Sequence, residues 1–513
     1  MHTRSAIALT LLPGLLLAGC SQPPSGYASN EAIGSAVPPA GAELYDGHPV
    51  NPIHQVANDP VSTFAVDVDT GAYANVRRML LGGQAVPADA VRTEEMINYF
   101  RYDYPLPDDR GAPFSITSDM ATTPWNPHTR LLRIGLRGYD ISQSQRPPAN
   151  LVFMVDVSGS MQDADKLPLV KQALSILADT LRPDDSVSII TYAGWVETLV
   201  EGSHDPDEIK AALDGLDAEG ATAGGPALAM AYELARAHRI SGGINRIVMA
   251  TDGDFNVGLS DQQALEDMVK QNREDGISLT TLGFGQGNYN DAMMEAVADL
   301  GNGNHAYIDS AMEARKVLGE ELSSTLFTIA KDVKVQVEFN PAAVSQYRLI
   351  GYENRALAEE DFADDRVDAG EIGAGHQVTA LYEVVPTGEA GWAGPRKYAL
   401  NPSSLSASDA SELATVRLRY KLPEGETSRL IERPVPASLI ATARRPKGDM
   451  AFAVAVAAFG QKLRGDTKLD SFDYADIVRL AGPQADYWRQ EFVQLASLAA
   501  SGRRAGWNGD AGD

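Results

Sequence analysis

The stretch that decides the fold is Leu151-Val152-Phe153-Met154-Val155-Asp156-Val157-Ser158-Gly159-Ser160-Met161. Its five leading apolar residues are typical of a strand buried on both faces. A carboxylate and two hydroxyls then follow at alternate positions, on Asp156, Ser158 and Ser160. Ligands of open α/β sheets gather beyond the carboxyl ends of such strands, so we expect these three oxygens to converge on one point.

Strand and helix patterns alternate around this stretch. Apolar runs at 151–155, 187–192, 246–250 and 277–284 are separated by helical stretches at 166–181, 226–240 and 289–300. Such alternation predicts an α/β domain over residues 149–330, with a doubly wound, mostly parallel and Rossmann-like sheet. A final helix over 311–329 is expected to lead out of this domain.

Two further segments carry oxygen donors toward the same edge of the sheet. The predicted strand at 246–250 continues into Thr251-Asp252-Gly253, which adds a carboxylate, and the loop 220–226 adds the hydroxyl of Thr222. All five donors are then hard oxygens. In sixfold geometry they favour magnesium, with calcium or manganese as alternatives.

This set of residues resembles the metal-ion-dependent adhesion site of von Willebrand factor type A (VWA) domains. The pattern of that site is Asp-x-Ser-x-Ser, a later Thr and a later Asp-Gly. The resemblance implies that the ion is held by Asp156, Ser158, Ser160, Thr222 and Asp252. It also implies a cation that stays electrophilic among neutral hydroxyls and binds an acidic side chain of a partner protein. The alternative is that the hydroxyls cap the following helix.

β-rich segments and C-terminal helices flank the central domain. Residues 61–148 contain short strand and helix patterns, and residues 331–513 contain strictly alternating strands followed by helical stretches at 450–463 and 485–500. The chain is similar to a family of bacterial VWA lipoproteins with an associated N-terminal segment and a C-terminal domain of unknown function. The segments that carry this resemblance are 64–70, 92–100 and 251–258, with a looser match from Lys331 onward.

The N-terminus resembles a lipoprotein signal. An apolar run at 6–18 ends in Leu17-Ala18-Gly19-Cys20, and Cys20 is the only cysteine in the chain. We expect a signal peptide at 1–19, a lipid anchor on Cys20 and a flexible tether over 20–60, rich in Pro, Gly and Ser. Ser21 in place of Asp implies, by resemblance, sorting within the cell envelope to the outer membrane, facing the periplasm or the cell surface.

Composition and motifs restrict the function. Asp and Glu number 69 against 43 Lys and Arg, without a basic cluster, which excludes nucleic acid as a partner. The sequence has no Gly-x-Ser-x-Gly elbow, no His-Glu-x-x-His helix and no phosphate loop. We therefore predict a non-enzymatic lipoprotein that uses its cation for protein binding or adhesion. The alternative is a metal-dependent enzyme, or an enzyme subunit, acting in the cell envelope.

Structural roles are expected for five other residues. Asp67 and Asp69 are expected to lie in a solvated turn rather than on a cation, and Trp125 and Trp195 in the core or a hinge. Asp254 is expected to cap its loop or to support the site. An EF-hand starting at Asp252 is excluded because its twelfth position is a glutamine, not the required glutamate.

Overall fold

The structure is a computed structural model that describes residues 43–108, 111–222, 224–253, 262–273, 275–394, 411–423 and 425–502. The described strands are β1 (His54–Gln55), β2 (Val61–Ala65), β3 (Phe114–Thr122), β4 (Arg130–Gly138), β5 (Ala149–Asp156), β6 (Ser186–Tyr192), β7 (Val196–Ser203), β8 (Ile244–Thr251), β9 (Ser278–Phe284), β10 (His305–Ile308), β11 (Thr328–Phe339), β12 (Val344–Ile350), β13 (Ala356–Leu357), β14 (Ile372–Gly373), β15 (Gln377–Pro386), β16 (Glu412–Lys421) and β17 (Arg429–Pro436).

The helices lie in the central domain and in both regions that flank it. They are α1 (Gly71–Leu81), α2 (Thr93–Asn98), α3 (Leu167–Ala178), α4 (Pro206–Asp214), α5 (Gly224–Ala237), α6 (Gln262–Arg273), α7 (Asp291–Leu300), α8 (Ala311–Arg315), α9 (Leu322–Leu326), α10 (Ser438–Thr442), α11 (Gly448–Leu463), α12 (Tyr474–Ala481) and α13 (Tyr487–Gly502). Within the described ranges, none of them is both long and apolar enough to span a bilayer.

The central domain has the predicted α/β fold. Its sheet has the strand order β10-β9-β8-β5-β6-β7, parallel throughout except for the antiparallel edge strand β7. Alternate residues of β5 enter two different cores: Phe153 packs with α3 on one face, and Met154 packs with α5 on the other. This two-faced burial explains why β5 reads as a continuous apolar run.

Two antiparallel sheets make up the β-rich flanks. Their strand orders are β1-β12-β15-β4-β3 and β13-β2-β11-β16-β17. Leu132 of β4 and Val335 of β11 belong to one hydrophobic core, so the sheets pack on each other. β2 pairs with β11, and β4 pairs with β15. The sheets therefore join regions 61–148 and 331–513, which the sequence patterns predict as separate regions, and the α/β domain is an insertion between their strands.

A helical layer packs on the sheet that contains β4 and β15, because Leu131 and Leu381 of these strands belong to the core of the helices. α1, α2, α11, α12 and α13 share a core that includes Phe100, Phe452, Phe459 and Phe492. Residues 450–461 of α11 are all buried, which is the expected pattern for a helix surrounded by protein on every side.

The predicted continuous helix over 311–329 is wrong. The segment is divided into α8, a π-helical turn at Lys316–Glu320 and α9, and β11 begins at Thr328. The side chains of Lys316 and Glu321 pair at 2.9 Å, and Glu313 receives the guanidinium of Arg77 from α1 at 2.7 Å. The spacing of apolar residues gives no information about ion pairs of this kind, so it predicts an uninterrupted helix.

Candidate metal site

The five predicted ligands lie on or beside two neighbouring strands. β5 ends at Asp156, and Ser158 and Ser160 follow it directly. β8 ends at Thr251 and is followed by Asp252. Because β5 and β8 are adjacent and parallel, both carboxylates reach the same edge of the sheet. Both aspartates are fully buried, whereas Ser160 is exposed.

Hydrogen bonds connect the side chains from the two strands. The backbone N–H of Ser158 donates to Asp156 Oδ1 at 2.9 Å, and the Ser158 and Ser160 hydroxyls lie 3.1 Å apart. Ser160 in turn forms a side-chain hydrogen bond with Asp252. Four of the five predicted residues are thus brought together by direct contacts or by adjacent strand ends.

Thr222 is brought to this edge by its loop. The N–H of Gly159 donates to the carbonyl of Gly220 at 3.0 Å, and the N–H of Glu219 donates to the carbonyl of Val157 at 2.7 Å. These backbone bonds fix the loop against the Ser158–Ser160 turn. Thr222 is 6% exposed and lies two residues before α5.

Three residues at the site were not predicted from the sequence. Thr251 donates its hydroxyl to Asp156 Oδ2 at 2.8 Å. The ammonium of Lys166 lies 3.0 Å from Asp252 Oδ2, and Asn288 Nδ2 donates to the same oxygen at 3.0 Å. Thr251 was discoverable because it directly precedes Asp252. Lys166 ends the connection between β5 and α3, and Asn288 lies in the connection between β9 and α7, and no spacing rule marks either residue.

The two carboxyl groups differ in their electrostatics. Burial raises the pKa of Asp156 to about 6, opposed by hydrogen bonds from Ser158 and reinforced by the charge of Asp252. Burial also acts to raise the pKa of Asp252, but hydrogen bonds from Asn288 and Lys166 and the Lys166 charge outweigh it. The pKa of Asp252 therefore lies below its ordinary value.

This donor set fits a hard divalent cation. Every predicted ligand is a carboxylate or hydroxyl oxygen, and the two buried carboxylates supply the negative charge that such a cation requires. Asp156 uses its oxygens to accept from Ser158 and Thr251, which fixes its orientation. Soft metals prefer sulfur and nitrogen ligands, and the five predicted residues offer neither.

The two tryptophans have different environments. Trp125 packs against the helical core, with its indole N–H 3.3 Å from Glu383 Oε2, as predicted. The prediction for Trp195 is wrong, because this side chain is 57% exposed. It lies in the turn after β6, where Gly194 closely approaches Gly220 of the Thr222 loop. Sequence alone cannot distinguish such an exposed aromatic residue from a core one.

Asp67 and Asp69 do form a turn, but the prediction that it is solvated is wrong. The N–H of Asp69 donates to Asp67 Oδ1 at 2.8 Å, and both side chains are buried. They belong to a carboxylate cluster that also contains Glu95, Glu295 and Asp299. Asp67, Glu95 and Glu295 offer oxygens within 4.8 Å of one another. The guanidiniums of Arg92 and Arg355 pair with these carboxylates, so the cluster already contains its own cations.

Two predicted residues lie outside the described part of the chain. They are Cys20, assigned to lipidation, and Asp254 in the loop after Asp252.

Models of known families match three consecutive parts of the chain. Residues 39–133 match the model described as von Willebrand factor, and residues 150–320 match the von Willebrand factor type A domain. Residues 324–501 match the C-terminal model of the uncharacterized protein YfbK.

Individual proteins are similar over all or part of the chain. The uncharacterized protein YfbK of Escherichia coli (strain K12) is 45% identical over 472 residues, which cover 90% of this chain and 81% of that protein. Inter-alpha-trypsin inhibitor heavy chain H3 of Homo sapiens is 26% identical over 46% of this chain and 28% of its own length. Among solved structures, proximal thread matrix protein 1 from the mussel byssus, with a zinc-occupied metal-ion-dependent adhesion site, is 18% identical over 36% of this chain and 46% of that chain, at a TM-score of 0.29.

Proposed function

The chain belongs to the family of VWA-domain proteins that includes YfbK of Escherichia coli, and on that premise we propose that it binds a partner protein through a divalent cation. VWA domains commonly mediate metal-dependent protein–protein interactions and are typically non-enzymatic. In this proposal Asp156, Ser158, Ser160, Thr222 and Asp252 hold the cation, which is magnesium by preference. The partner supplies an acidic side chain as a further ligand.

One observation carries this proposal: hydrogen bonds join side chains from two separate strand ends at a partly open edge. Ser158 contacts Ser160, and Ser160 contacts Asp252. A bound cation would supply Lewis acidity toward an acidic side chain of the partner. Ser158, Ser160 and Thr222 would contribute oxygens without charge, so among these five residues only Asp156 and Asp252 would offset the positive charge of the cation. The exposure of Ser160 supports access of a partner to this edge of the sheet.

The surroundings of the site support protein binding. Trp195 is exposed on the turn that contacts the Thr222 loop, and Leu199 on the edge strand β7 is 36% exposed. Large exposed aromatic side chains are enriched among the residues that dominate protein interfaces. A partner segment with an apolar residue close to its carboxylate fits this combination.

Membrane attachment is the second part of the proposal. The sequence Leu17-Ala18-Gly19-Cys20 supports cleavage before Cys20 and acylation of its thiol, which would place the protein at the outer membrane. Mass spectrometry of the mature N-terminus tests this proposal directly. Cys20→Ser should release the chain from the membrane fraction, and Ser21→Asp should retain it at the inner membrane. An unmodified Cys20 would contradict the proposal.

Titration calorimetry of the full chain with magnesium, calcium and manganese tests the metal site. We expect saturable binding that Asp156→Ala abolishes, because this change removes a buried carboxylate ligand. Asp163→Ala is the matched control, since Asp163 is exposed in the same loop. Equal binding by wild-type protein and Asp156→Ala would exclude these five residues as the site. With binding established, magnesium-dependent capture of a partner completes the test.

A further inference from the structure

A lysine ammonium is part of the metal site's charge. Lys166 Nζ donates to Asp252 Oδ2 at 3.0 Å and to Asn288 Oδ1 at 2.8 Å. The Lys166 side chain is only 4% exposed, so it does not reach a partner protein directly. Its hydrogen bonds join a predicted metal ligand to the turn before α7.

The fold holds this ammonium in place. Gly285 has φ +73, and a Cβ there would collide with the aliphatic carbons of Lys166. The lysine side chain can therefore pack directly on the backbone of Gly285 because this residue has no side chain. Asn288 accepts from Lys166 and donates to the same Asp252 oxygen that Lys166 contacts. The ammonium, the amide and the carboxylate oxygen therefore form a closed triangle of hydrogen bonds at the site.

Lys166 changes the net charge of the site. Asp156, Asp252 and Lys166 together carry one negative charge when both carboxyls are ionised. Binding of a divalent cation changes that to one positive charge, and the carboxylate of a partner restores neutrality. Without Lys166 the cation alone would neutralise the site, and the partner's carboxylate would add an unbalanced negative charge. Unbalanced buried charge is costly, so the lysine decides which state of the site is neutral.

Building on the proposed function, we propose that Lys166 is a positioning residue that couples cation binding to binding of the partner's carboxylate. Its positive charge weakens the binding of the cation and strengthens the binding of a carboxylate to the site that already holds the cation. By linkage, a carboxylate ligand must then tighten cation binding by the same factor by which the cation tightens carboxylate binding.

The test measures magnesium affinity of the full chain by calorimetry, with and without acetate as the probe for the partner's carboxylate. Acetamide, of similar shape but uncharged, is the matched control ligand. In wild-type protein acetate should tighten magnesium binding and acetamide should not. Lys166→Met should bind magnesium about tenfold more tightly in the absence of acetate, because a like charge a few ångströms away has been removed. Acetate should then have little further effect.

Three further variants separate charge from structure. Lys166→Arg keeps the charge and should retain the coupling to acetate. Lys171→Met removes a lysine of α3, the helix that Lys166 directly precedes; the Lys171 ammonium donates to the Asp214 carbonyl instead, and this variant should bind magnesium as wild type does. Lys166→Gln replaces Lys166→Met if the methionine variant does not fold.

The outcomes distinguish this inference from the function on which it rests. If Lys166→Met or Lys166→Gln folds and binds magnesium no more tightly than wild type, Lys166 serves only the fold and the inference is overturned. If acetate tightens magnesium binding equally with and without the lysine, the coupling does not depend on Lys166 and the inference is also overturned. Retained binding by Asp156→Ala would instead reject the proposed metal site itself.

Discussion

Arg355 donates its guanidinium Nε–H to Asp67 Oδ2 at 3.0 Å, although 288 residues separate them in the sequence. The same guanidinium donates to Glu295 Oε1 at 2.9 Å and contacts Asp299. Asp67 follows β2, Glu295 and Asp299 lie on α7 of the VWA domain, and Arg355 comes from the C-terminal region. One side chain therefore connects all three parts of the protein.

Removal of this guanidinium should be strongly destabilising. Arg355→Met leaves several buried carboxylates without their cation, and we expect a loss of about 3–5 kcal/mol in the free energy of unfolding. Urea denaturation followed by circular dichroism measures it. Arg366→Met is the matched control, because that side chain is 90% exposed and its ion pair lies at the surface. A change below about 1 kcal/mol for Arg355→Met would mean that the cluster does not depend on this cation.

Glu94 should make stability depend on pH. Burial raises the pKa of the Glu94 carboxyl to about 8, with a further contribution from the charge of Glu353. The folded state holds the Glu94 proton more tightly than the unfolded chain does. The stabilisation that this proton gives is therefore complete below about pH 4.3 and is lost as the pH rises to about 8. In that window stability should fall by about 1.4 kcal/mol per pH unit for this group.

Unfolding of wild-type protein and Glu94→Gln at several pH values measures this contribution. The difference between the two free energies of unfolding should change across the window, because glutamine does not titrate. Glu360→Gln, at an exposed position, should parallel wild type. Parallel profiles for wild type and Glu94→Gln would show that Glu94 ionises normally.

Gly285→Ala should destabilise the protein by two mechanisms. The alanine must adopt φ +73, and its Cβ collides with the side chain of Lys166. Left-handed backbone costs about 1–2 kcal/mol and overpacking about 1–3 kcal/mol. Gly287→Ala is the control, because φ is +95 there but a Cβ meets nothing within 4 Å. In urea denaturation, Gly285→Ala should have a lower free energy of unfolding than Gly287→Ala. Equal losses of stability in the two variants would show that the collision with Lys166 has no effect.

Phe459→Ala should test the packing of α11. The ring is fully buried, with its centroid 5.5 Å from that of Phe492 and 5.8 Å from that of Tyr474. Such a truncation costs about 3–5 kcal/mol through lost burial and a cavity. Leu498→Ala on α13 is the control, since Leu498 is 41% exposed and should cost far less. Similar losses for both variants would indicate that α11 is loosely packed.

Trp195→Ala should separate partner binding from metal binding. Its indole is 57% exposed and is not among the predicted ligands, so magnesium affinity and stability should change little. Magnesium-dependent capture of a partner should weaken, because the interface loses an aromatic contact. Trp125→Phe, which alters a packed tryptophan away from the site, serves as the comparison. Loss of magnesium binding in Trp195→Ala would instead assign this residue to the metal site.

Sequence patterns were sufficient wherever the determining interactions are local. The apolar run before Asp156 and its alternation with helices identified the parallel sheet, and the ends of β5 and β8 then identified four of the five candidate ligands. Strict alternation at 333–339 likewise identified β11. In each case the burial of a strand face determines the order of apolar and polar residues, so the sequence pattern predicts the strand.

The remaining features depend on residues distant in sequence. The sequence predicts a solvated turn at Asp67 because nothing in the spacing of residues indicates that Arg355 pairs with it. Lys166 was overlooked for the same reason, since Asp252 and Asn288 meet it only in the folded chain. The pairing of β2 with β11 also has no local signal, and so two sheets shared by both flanks were read as two separate regions.

The insertion of the VWA domain between paired strands affects the order of events during synthesis. β4 emerges complete at Gly138, but its neighbour β15 begins only at Gln377. At about 5–20 residues per second, the ribosome needs roughly 12–50 s to make the intervening chain. For that period the nascent β3–β4 hairpin displays an unpaired edge and an uncovered apolar face. The newborn chain should therefore require a chaperone until its C-terminal third has been made.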